Sequence, residues 1–220
     1  MSQSPLFVTR WGARFDRESG TTTFRVWAPR PKSIDLVLVP AGFASTNGES
    51  TTGERVLQRR EPLRLQDLPG STIIPLERDR QGVVSVQLDG LEPGRLYAYR
   101  LGDEAFLRPD PVSRWLPFGV HGPSAIVDPR DFAWTDQHWR GVAWRDVVLY
   151  ELHVGTFTRM GTFAAAMEEL PRLRELGITA IELLPIAQFP GTRNWGYDGV
   201  SWFAVQNSYG GPDGLKAFVD

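Results

Sequence analysis

The segment in which chemistry-bearing side chains are most concentrated runs from Gln188 to Gly199 and carries Trp195, Tyr197 and Asp198. It is rich in glycine and follows an apolar run that predicts a buried strand. Long loops of this kind in compact domains are often functional. An aromatic ring offers a flat apolar surface to the C–H face of a sugar, and a tyrosine hydroxyl can hydrogen-bond a sugar hydroxyl. The loop therefore predicts a carbohydrate-binding site.

Three ionisable side chains lie on the apolar runs beside this loop. His153 is near the carboxyl end of the first run, and in an α/β barrel that end carries the active site. A hydrogen-bonded core histidine is the default interpretation, and a donor that lines the pocket is the functional alternative. Glu151 and Glu182 could be paired as the acid and nucleophile of a glycosidase. Both precede the strand ends, so we predict buried, paired structural charges instead.

These residues are positioned by a strand–helix–strand pattern. The runs 147–154 and 178–184 are nearly continuously apolar, as in strands covered on both faces. Between them, Thr162 is a good helix N-cap, and apolar residues follow at helical spacing until Gly177. Pro171 falls inside this helix and should kink it. Strand, crossover helix and strand in this order predict a right-handed parallel unit.

In the first half of the chain the apolar residues recur with a different period, every second residue. Apolar residues alternate with polar ones in short segments separated by Pro and Gly, a pattern typical of an antiparallel sandwich. Such segments include Thr21–Trp27, 33–38, 84–88 and 97–101. We predict an immunoglobulin-like β-sandwich over 1–127, a linker over 128–145, and the first βαβ portion of a barrel over 146–220. We also expect 108–123 to be extended and linker-like.

Composition excludes several classes of function. The chain has 220 residues, a net charge of −2 and no cysteine. A strongly basic face is not implied, so nucleic acid and anionic membranes are poor partners, and disulfide or thiolate chemistry is excluded. The first eight residues lack the basic and apolar regions of a signal peptide, so we expect a soluble, cytoplasmic protein.

Motifs that bind nucleotides or present a nucleophilic serine are also missing from the sequence. It contains no G-x-G-x-x-G, no Walker A motif and no G-x-S-x-G, and its three histidines lack the spacing of metal ligands. We therefore predict no cofactor and no metal. The eight tryptophans are numerous, and for each one core packing is the default interpretation, with a sugar-binding platform as the alternative.

Several motifs together resemble the α-amylase superfamily of glycoside hydrolases. Trp195-Gly-Tyr-Asp198 resembles its substrate loop, and Tyr150–Phe157 resembles its first barrel strand. Phe24–Pro29 and Gly90–Tyr99 resemble the β-sandwich that precedes the barrel in branching, debranching and trehalose-releasing members. The segments 108–114, 119–122, 153–157 and 189–198 narrow the resemblance to the trehalose-releasing members.

The resemblance implies a fold and an activity. The fold is an N-terminal β-sandwich followed by the truncated start of a (β/α)8 TIM barrel. The activity is retaining hydrolysis of the α-1,4 bond next to the trehalose end of a malto-oligosaccharide. By the same resemblance, Tyr197 stacks on the glucosyl ring beside the scissile bond, and Trp195, Asp198 and His153 shape the site. The catalytic carboxylates would lie beyond Asp220, so we predict no catalytic residue and no activity in these 220 residues.

Two alternatives stay open. One is an α-1,4-glucan branching or debranching enzyme, which has the same order of sandwich and barrel. The other belongs to a different class and is a non-catalytic glucan-binding module that uses the sandwich alone. In each case the partner is an α-glucan, and the sequence gives no prediction of oligomeric state.

Overall fold

A computed structural model gives the fold and describes residues 10–43, 49–50, 55–56 and 59–220. The chain divides into two compact units. Of the described residues, the first unit contains 10–43, Pro62–Ser113 and Pro123–Asp128. The second contains 49–50, 55–56, 59–61, Arg114–Gly122 and Pro129–Asp220. The boundary predicted after Val127 stays a prediction.

The secondary structure is mostly β-strand with few helices. In chain order, the strands are β1 (Gly12–Asp16), β2 (Thr21–Trp27), β3 (Ile34–Leu38), β4 (Glu49–Ser50), β5 (Arg55–Val56), β6 (Thr72–Leu76), β7 (Val83–Asp89), β8 (Leu96–Leu101), β9 (Leu107–Arg108), β10 (Ser124–Ala125), β11 (Leu149–His153), β12 (Ala180–Leu184), β13 (Ala187–Gln188) and β14 (Ser201–Val205). The α-helices are α1 (Val154–Phe157), α2 (Phe163–Glu168), α3 (Leu170–Glu175) and α4 (Gly211–Val219).

Two antiparallel sheets form the first unit. One has the order β1-β2-β7, and the other has the order β10-β8-β3-β6, with β9 also paired to β8. Phe24 and Val26 from the first sheet share a core with Leu36, Tyr97 and Tyr99 from the second. All five residues of β3 are buried. The alternation read from the sequence therefore turns one face of each sheet into a shared core. The other face of the second sheet, with Val37 and Ala98, packs in a separate cluster with Leu63, Leu68 and Leu107.

The segment after β9 is not the linker that the sequence suggested. Asp110 is 1% exposed and accepts a hydrogen bond from the Tyr97 hydroxyl at 2.9 Å. Its backbone N–H donates to the hydroxyl oxygen of Ser124 at 2.9 Å. The linker-like interpretation was wrong here, because a carboxylate that accepts bonds from buried groups belongs to the core.

The second unit contains the predicted parallel pair. β11 and β12 are paired in parallel, with Leu149 opposite Ala180 and His153 opposite Leu184. Leu152 packs with Phe163 and Leu173 of the helices in one apolar cluster. The two strands are followed by the antiparallel hairpin of β13 and β14, and then by α4.

The predicted crossover helix is two helices. α2 ends at Glu168 and α3 begins at Leu170, with Pro171 in its first turn. Proline has no backbone N–H, and its ring conflicts with the preceding turn, so the helix is interrupted just before it. The predicted cap is confirmed, since the Thr162 side chain accepts a bond from the backbone N–H of Ala165 at 3.2 Å. Gly177 has a φ of 93°, as its predicted terminal position requires.

Candidate functional site

The loop between β13 and β14 displays the predicted aromatic side chains. Trp195 is 91% exposed and Tyr197 is 85% exposed, and Trp202 on β14 is exposed as well. The hairpin is closed below them by the backbone N–H of Val200, which donates to the Gln188 carbonyl at 2.9 Å. Apolar rings held in water by a closed hairpin are available to a ligand.

Polar side chains within the loop bind its own backbone. The Asn194 side-chain oxygen accepts bonds from the backbone N–H groups of Gly196, at 2.5 Å, and Asp198, at 3.3 Å. The Asp198 carboxylate accepts a bond from the backbone N–H of Trp195 at 3.3 Å. These local bonds are typical of Asx turns. Asp198 thus stabilises the turn that presents Trp195 and Tyr197.

His153 connects the end of β11 to this loop. Its Nε2 lies 2.9 Å from the Asn194 carbonyl oxygen. A carbonyl can only accept, so Nε2 is the donor in this contact. Nδ1 is buried and has no hydrogen-bond partner among the described residues. The histidine thus orients the loop backbone.

Two glycines allow the close approaches around His153. Gly196 has a φ of 115°, and a Cβ there would lie 2.8 Å from a Leu184 methyl carbon. A Cβ on Gly155 would lie 2.5 Å from the Tyr209 hydroxyl oxygen and 3.2 Å from a His153 ring carbon. Only glycine fits either position without displacing these neighbours.

Tyr209 forms the floor of the same region. Its ring is 2% exposed and packs edge-on against Phe163 and Phe189, with centroids 6.0 and 5.6 Å away. Burial raises the pKa of Tyr209 to about 12, and the backbone N–H of Gly155 opposes this shift. The phenol is therefore neutral at physiological pH.

Glu151 and Glu182 do not have the environment that the sequence suggested. They lie opposite each other on β11 and β12, and both are exposed. Neither forms an ion pair among the described residues. Within the described part of these 220 residues the glutamates are not buried or paired, because helices cover only the face of the ladder that carries Leu152. The other face of the two strands is likewise uncovered here.

One predicted site residue, His153, is bonded to the backbone of the loop, and the aromatic ones are exposed on the loop. The His153 ring bonds to Asn194, next to Trp195, while Tyr197 points outward on the same loop. The groove of about 410 Å³ between Tyr150, Phe157 and α3 is lined by none of them. Within the described part of the chain, no cluster of three or more His, Asp or Glu side chains could hold a metal ion. The described helices are all too short or too polar to cross a membrane.

Sequence reasoning missed the residues beneath the loop. Gln188 and Gln206 are both 0% exposed and hydrogen-bonded to each other. Asn194 and Tyr209 were also given no role. The available signal was a glutamine at the end of β13 and another directly after β14. A side-chain amide beside an apolar strand can be buried if it is hydrogen-bonded.

The chain has clear relatives among enzymes of known name, although no protein-family model matches it. It is 40% identical over 210 residues to a malto-oligosyltrehalose trehalohydrolase from Saccharolobus solfataricus. The match covers 96% of this chain and 31% of the relative. By sequence, this chain is a relative of the malto-oligosyltrehalose trehalohydrolases. The resemblance drawn from the motifs is confirmed.

A solved structure and a second enzyme class extend the trehalohydrolase comparison. A crystal structure from Salmonella typhimurium, provisionally named an alpha amylase, superimposes with a TM-score of 0.77 at 35% identity, over 97% of this chain and 31% of that one. A 1,4-alpha-glucan branching enzyme from Thiobacillus denitrificans is 31% identical over 95% of this chain and 27% of its own length. The chain thus spans about a third of the length of the relatives it matches.

Proposed function

We propose that this chain is the N-terminal part of a glycoside hydrolase that cleaves the α-1,4 bond next to the trehalose end of malto-oligosyltrehalose and releases trehalose. The trehalohydrolase similarity over 96% of the chain supports this choice of reaction. The structural observation that carries it is the loop with Trp195 and Tyr197 exposed above internally bonded backbone. An α-glucan is the proposed partner, and the cytoplasmic location stays a prediction.

We propose the corresponding architecture for the two units. The two antiparallel sheets with a shared core are an immunoglobulin-like sandwich, and the β11–helix–β12 segment is the start of a (β/α)8 barrel. The carboxyl ends of parallel strands carry the site in such barrels. His153 and Leu184 end the two strands, and the aromatic loop follows the second of them. These positions support the proposal that the site residues belong to the substrate-binding end of the barrel.

We propose that the 220 residues alone have no hydrolase activity. A retaining glycosidase needs two carboxyl groups about 5–5.5 Å apart on either side of the scissile bond. Glu151 and Glu182 come from mid-strand positions and not from the strand ends that carry such groups. Trehalose release by the purified 220-residue chain would contradict this proposal and would revive the two glutamates as candidates.

The role of Tyr197 tests the proposed function. If its ring stacks on a glucosyl unit as the unit distorts toward the transition state, Tyr197→Ala should lower kcat and not only raise KM. We expect a loss in kcat/KM of about 30- to 150-fold, equivalent to about 2–3 kcal/mol. The measurement is trehalose release from malto-oligosyltrehalose by the full-length protein.

The matched control removes an exposed ring elsewhere. Trp139 is also largely exposed but lies outside the loop, so Trp139→Ala should leave kcat/KM unchanged. Equal losses in both variants, or no loss in a normally folded Tyr197→Ala variant, would place Tyr197 outside the substrate site.

A branching enzyme is the second candidate, favoured by the 31% identity to the Thiobacillus denitrificans protein. The two reactions differ in their products. A trehalohydrolase releases free trehalose, whereas a branching enzyme transfers a glucan segment without releasing a small sugar. Incubation of the full-length protein with amylose and with malto-oligosyltrehalose, followed by separation of the products, decides between them.

A further inference from the structure

The base of the aromatic loop contains a pair of completely buried amides. Gln188 ends β13, and Gln206 directly follows β14, 18 residues later. Both are 0% exposed. A buried amide lowers stability unless its polar atoms are bonded, so each contact of this pair matters.

Gln206 makes four hydrogen bonds through its side chain. Its Oε1 accepts from Gln188 Nε2 at 2.6 Å and from the Phe189 backbone N–H at 3.0 Å. Its Nε2 donates to the Gly191 carbonyl at 3.1 Å and to the Ser208 hydroxyl oxygen at 2.7 Å. This set uses both donors and both acceptor sites that a glutamine side chain offers.

Backbone partners fix which amide atom is oxygen and which is nitrogen. The Phe189 N–H can only donate, and the Gly191 carbonyl can only accept, so the Gln206 amide cannot be reversed. Gln188 is fixed in the same way, because its Oε1 accepts from the Asn207 N–H at 3.0 Å and its Nε2 donates to the Phe189 carbonyl at 3.0 Å. The network is therefore directional and satisfied.

The bonds of the pair tie the start of the loop to the segment that follows its return strand. Phe189 and Gly191 belong to the start of the loop, and Asn207 and Ser208 follow its return strand. The strand ladder here is short: Ala187 pairs with Val205 and Gln188 with Ser201, and the register is irregular between the two pairs. The side-chain bonds therefore add to the backbone closure by Val200 and Gln206, whose N–H groups donate to the carbonyls of Gln188 and Ile186.

We propose that the Gln188–Gln206 amide pair is a neutral clasp that fixes the conformation of the loop carrying Trp195 and Tyr197. The two glutamines are positioning residues, because the ligand-binding rings lie on the loop and not on the pair itself. That the positioned rings bind a glucan rests on the proposed function. The closure of the loop by the pair is independent of the proposed function and can be tested without substrate.

The clasp must be an amide for a chemical reason. A carboxylate at position 206 could still accept from Gln188 and Phe189, but it would turn an acceptor toward the carbonyl of Gly191. Only the protonated acid could donate to that carbonyl. Gln206→Glu should therefore close the loop at low pH and open it at high pH, whereas the unchanged protein has no group at this position that titrates.

Trypsin reports on the loop because Arg193 lies within it and is exposed. The experiment digests the full-length protein and measures by mass spectrometry the ratio of cleavage after Arg193 to cleavage after Arg140, an exposed reference site outside the loop. The ratio cancels changes in trypsin activity with pH. The variants are Gln206→Leu, Gln206→Glu and, as a matched control, Gln66→Glu at an exposed glutamine.

For Gln206→Leu we expect the ratio to rise about tenfold or more, because lost buried hydrogen bonds shift a local opening equilibrium by that order. For Gln206→Glu we expect a similar rise at about pH 8.5, where the introduced carboxyl is charged. At about pH 5 the ratio should return toward that of the unchanged protein, because burial raises the pKa of the carboxyl and it is then protonated. Gln66→Glu should leave the ratio unchanged at both pH values.

An unchanged ratio in both Gln206 variants would overturn the clasp. So would an increase in Gln206→Glu that does not depend on pH. Cleavage after Arg140 that rises together with cleavage after Arg193 would also overturn it, because the pair would then stabilise the whole unit and not the loop. If the ratio responds as expected while Tyr197→Ala leaves trehalose release intact, the clasp stands and the proposed function of the loop fails.

Discussion

Asp35 and Glu182 are both carboxylates in the middle of a strand, and the two units treat them in opposite ways. Asp35 is 7% exposed, and the strand beside β3 places Arg100 directly opposite it. The guanidinium of Arg100 donates to the Asp35 carboxylate from Nε at 2.8 Å. Glu182 is exposed, and the strand beside β12 places a second glutamate, Glu151, opposite it.

The difference shows that the partner strand determines what a mid-strand charge does. Opposite charges directly across a ladder stabilise it, and like charges destabilise it. In the first unit the pair allows a carboxylate inside a sheet whose central strand is buried at every position. In the second unit the two carboxylates need water, so this face of the ladder is stable only while both are solvated or neutralised.

The largest expected effect comes from breaking the pair in the first unit. Arg100→Met should lower the free energy of unfolding by about 2–3 kcal/mol, because it leaves Asp35 buried without its cation, although partial exposure of Arg100 reduces the effect. Urea unfolding together with hydrogen exchange of the β3 amides measures it. Arg108→Met, which removes an exposed pair with Glu104, is the control and should change stability by less than about 0.5 kcal/mol.

A second effect concerns the buried tyrosine of the same unit. Burial raises the pKa of Tyr97 well above its ordinary value, and the nearby charge of Asp110 adds to this shift. A raised pKa means that the stabilisation is complete below the ordinary tyrosine value of about 10 and is lost as pH rises above it. Tyr97→Phe should therefore cost about 1–2 kcal/mol at neutral pH and should reduce the loss of stability at alkaline pH.

Urea unfolding gives the free energy of unfolding of the unchanged protein and of Tyr97→Phe at a series of pH values from neutral to alkaline. Tyr99, whose pKa burial also raises, keeps part of the alkaline dependence in the variant. A variant that loses as much stability at alkaline pH as the unchanged protein would show that Tyr97 is not the titrating group.

In the second unit we expect a change of the opposite sign. Glu182→Gln removes the like charge opposite Glu151 and should raise the free energy of unfolding by about 0.2–1 kcal/mol. The gain should shrink in about 1 M salt, where exposed charges are screened within a few ångströms. A destabilised Glu182→Gln variant would show that this carboxylate has a favourable role that the comparison with Asp35 does not predict.

The smallest effect is local and depends on pH. The Thr135 backbone N–H, at 2.6 Å, lowers the pKa of the Asp220 side chain below its ordinary value, and the Thr135 hydroxyl, at 2.7 Å, does so as well. A lowered pKa means that the contact is present above the ordinary carboxyl value and is lost as pH falls through the lowered one. The amide resonance of Thr135 should shift in that acidic range, and Thr135→Ala should move the transition toward the ordinary value.

Much of the strand pattern could be predicted, because it is written in consecutive residues. β2 was predicted at the residues where it is found, and the helix interruption follows from Pro171 alone. The exposed aromatic loop was also predicted from its local composition. The domain boundary, the site roles of Trp195, Tyr197, Asp198 and His153, and the absence of activity stay predictions.

The polar contacts could not be predicted, because they join residues that are distant in sequence. The partner of Asp35 is 65 residues away, and Gln206 reaches Gln188 across the whole loop. A glutamine or an aspartate carries no period that marks it as buried. The exposure of Glu151 and Glu182 was missed for a similar reason, since an apolar run does not reveal which of its faces is covered.

The approach of Gly155 to the Tyr209 hydroxyl has a consequence for how this sequence can vary. A methyl group on Gly155 would collide with that oxygen at 2.5 Å, whereas the ring carbon that bears it is 3.1 Å away. Alanine at 155 is thus tolerated more easily once the hydroxyl is gone. Among natural variants the two changes should occur in a fixed order, with Tyr209→Phe as the permissive step and Gly155→Ala only after it. A lineage that has taken both steps and regains the hydroxyl first would meet the 2.5 Å contact again.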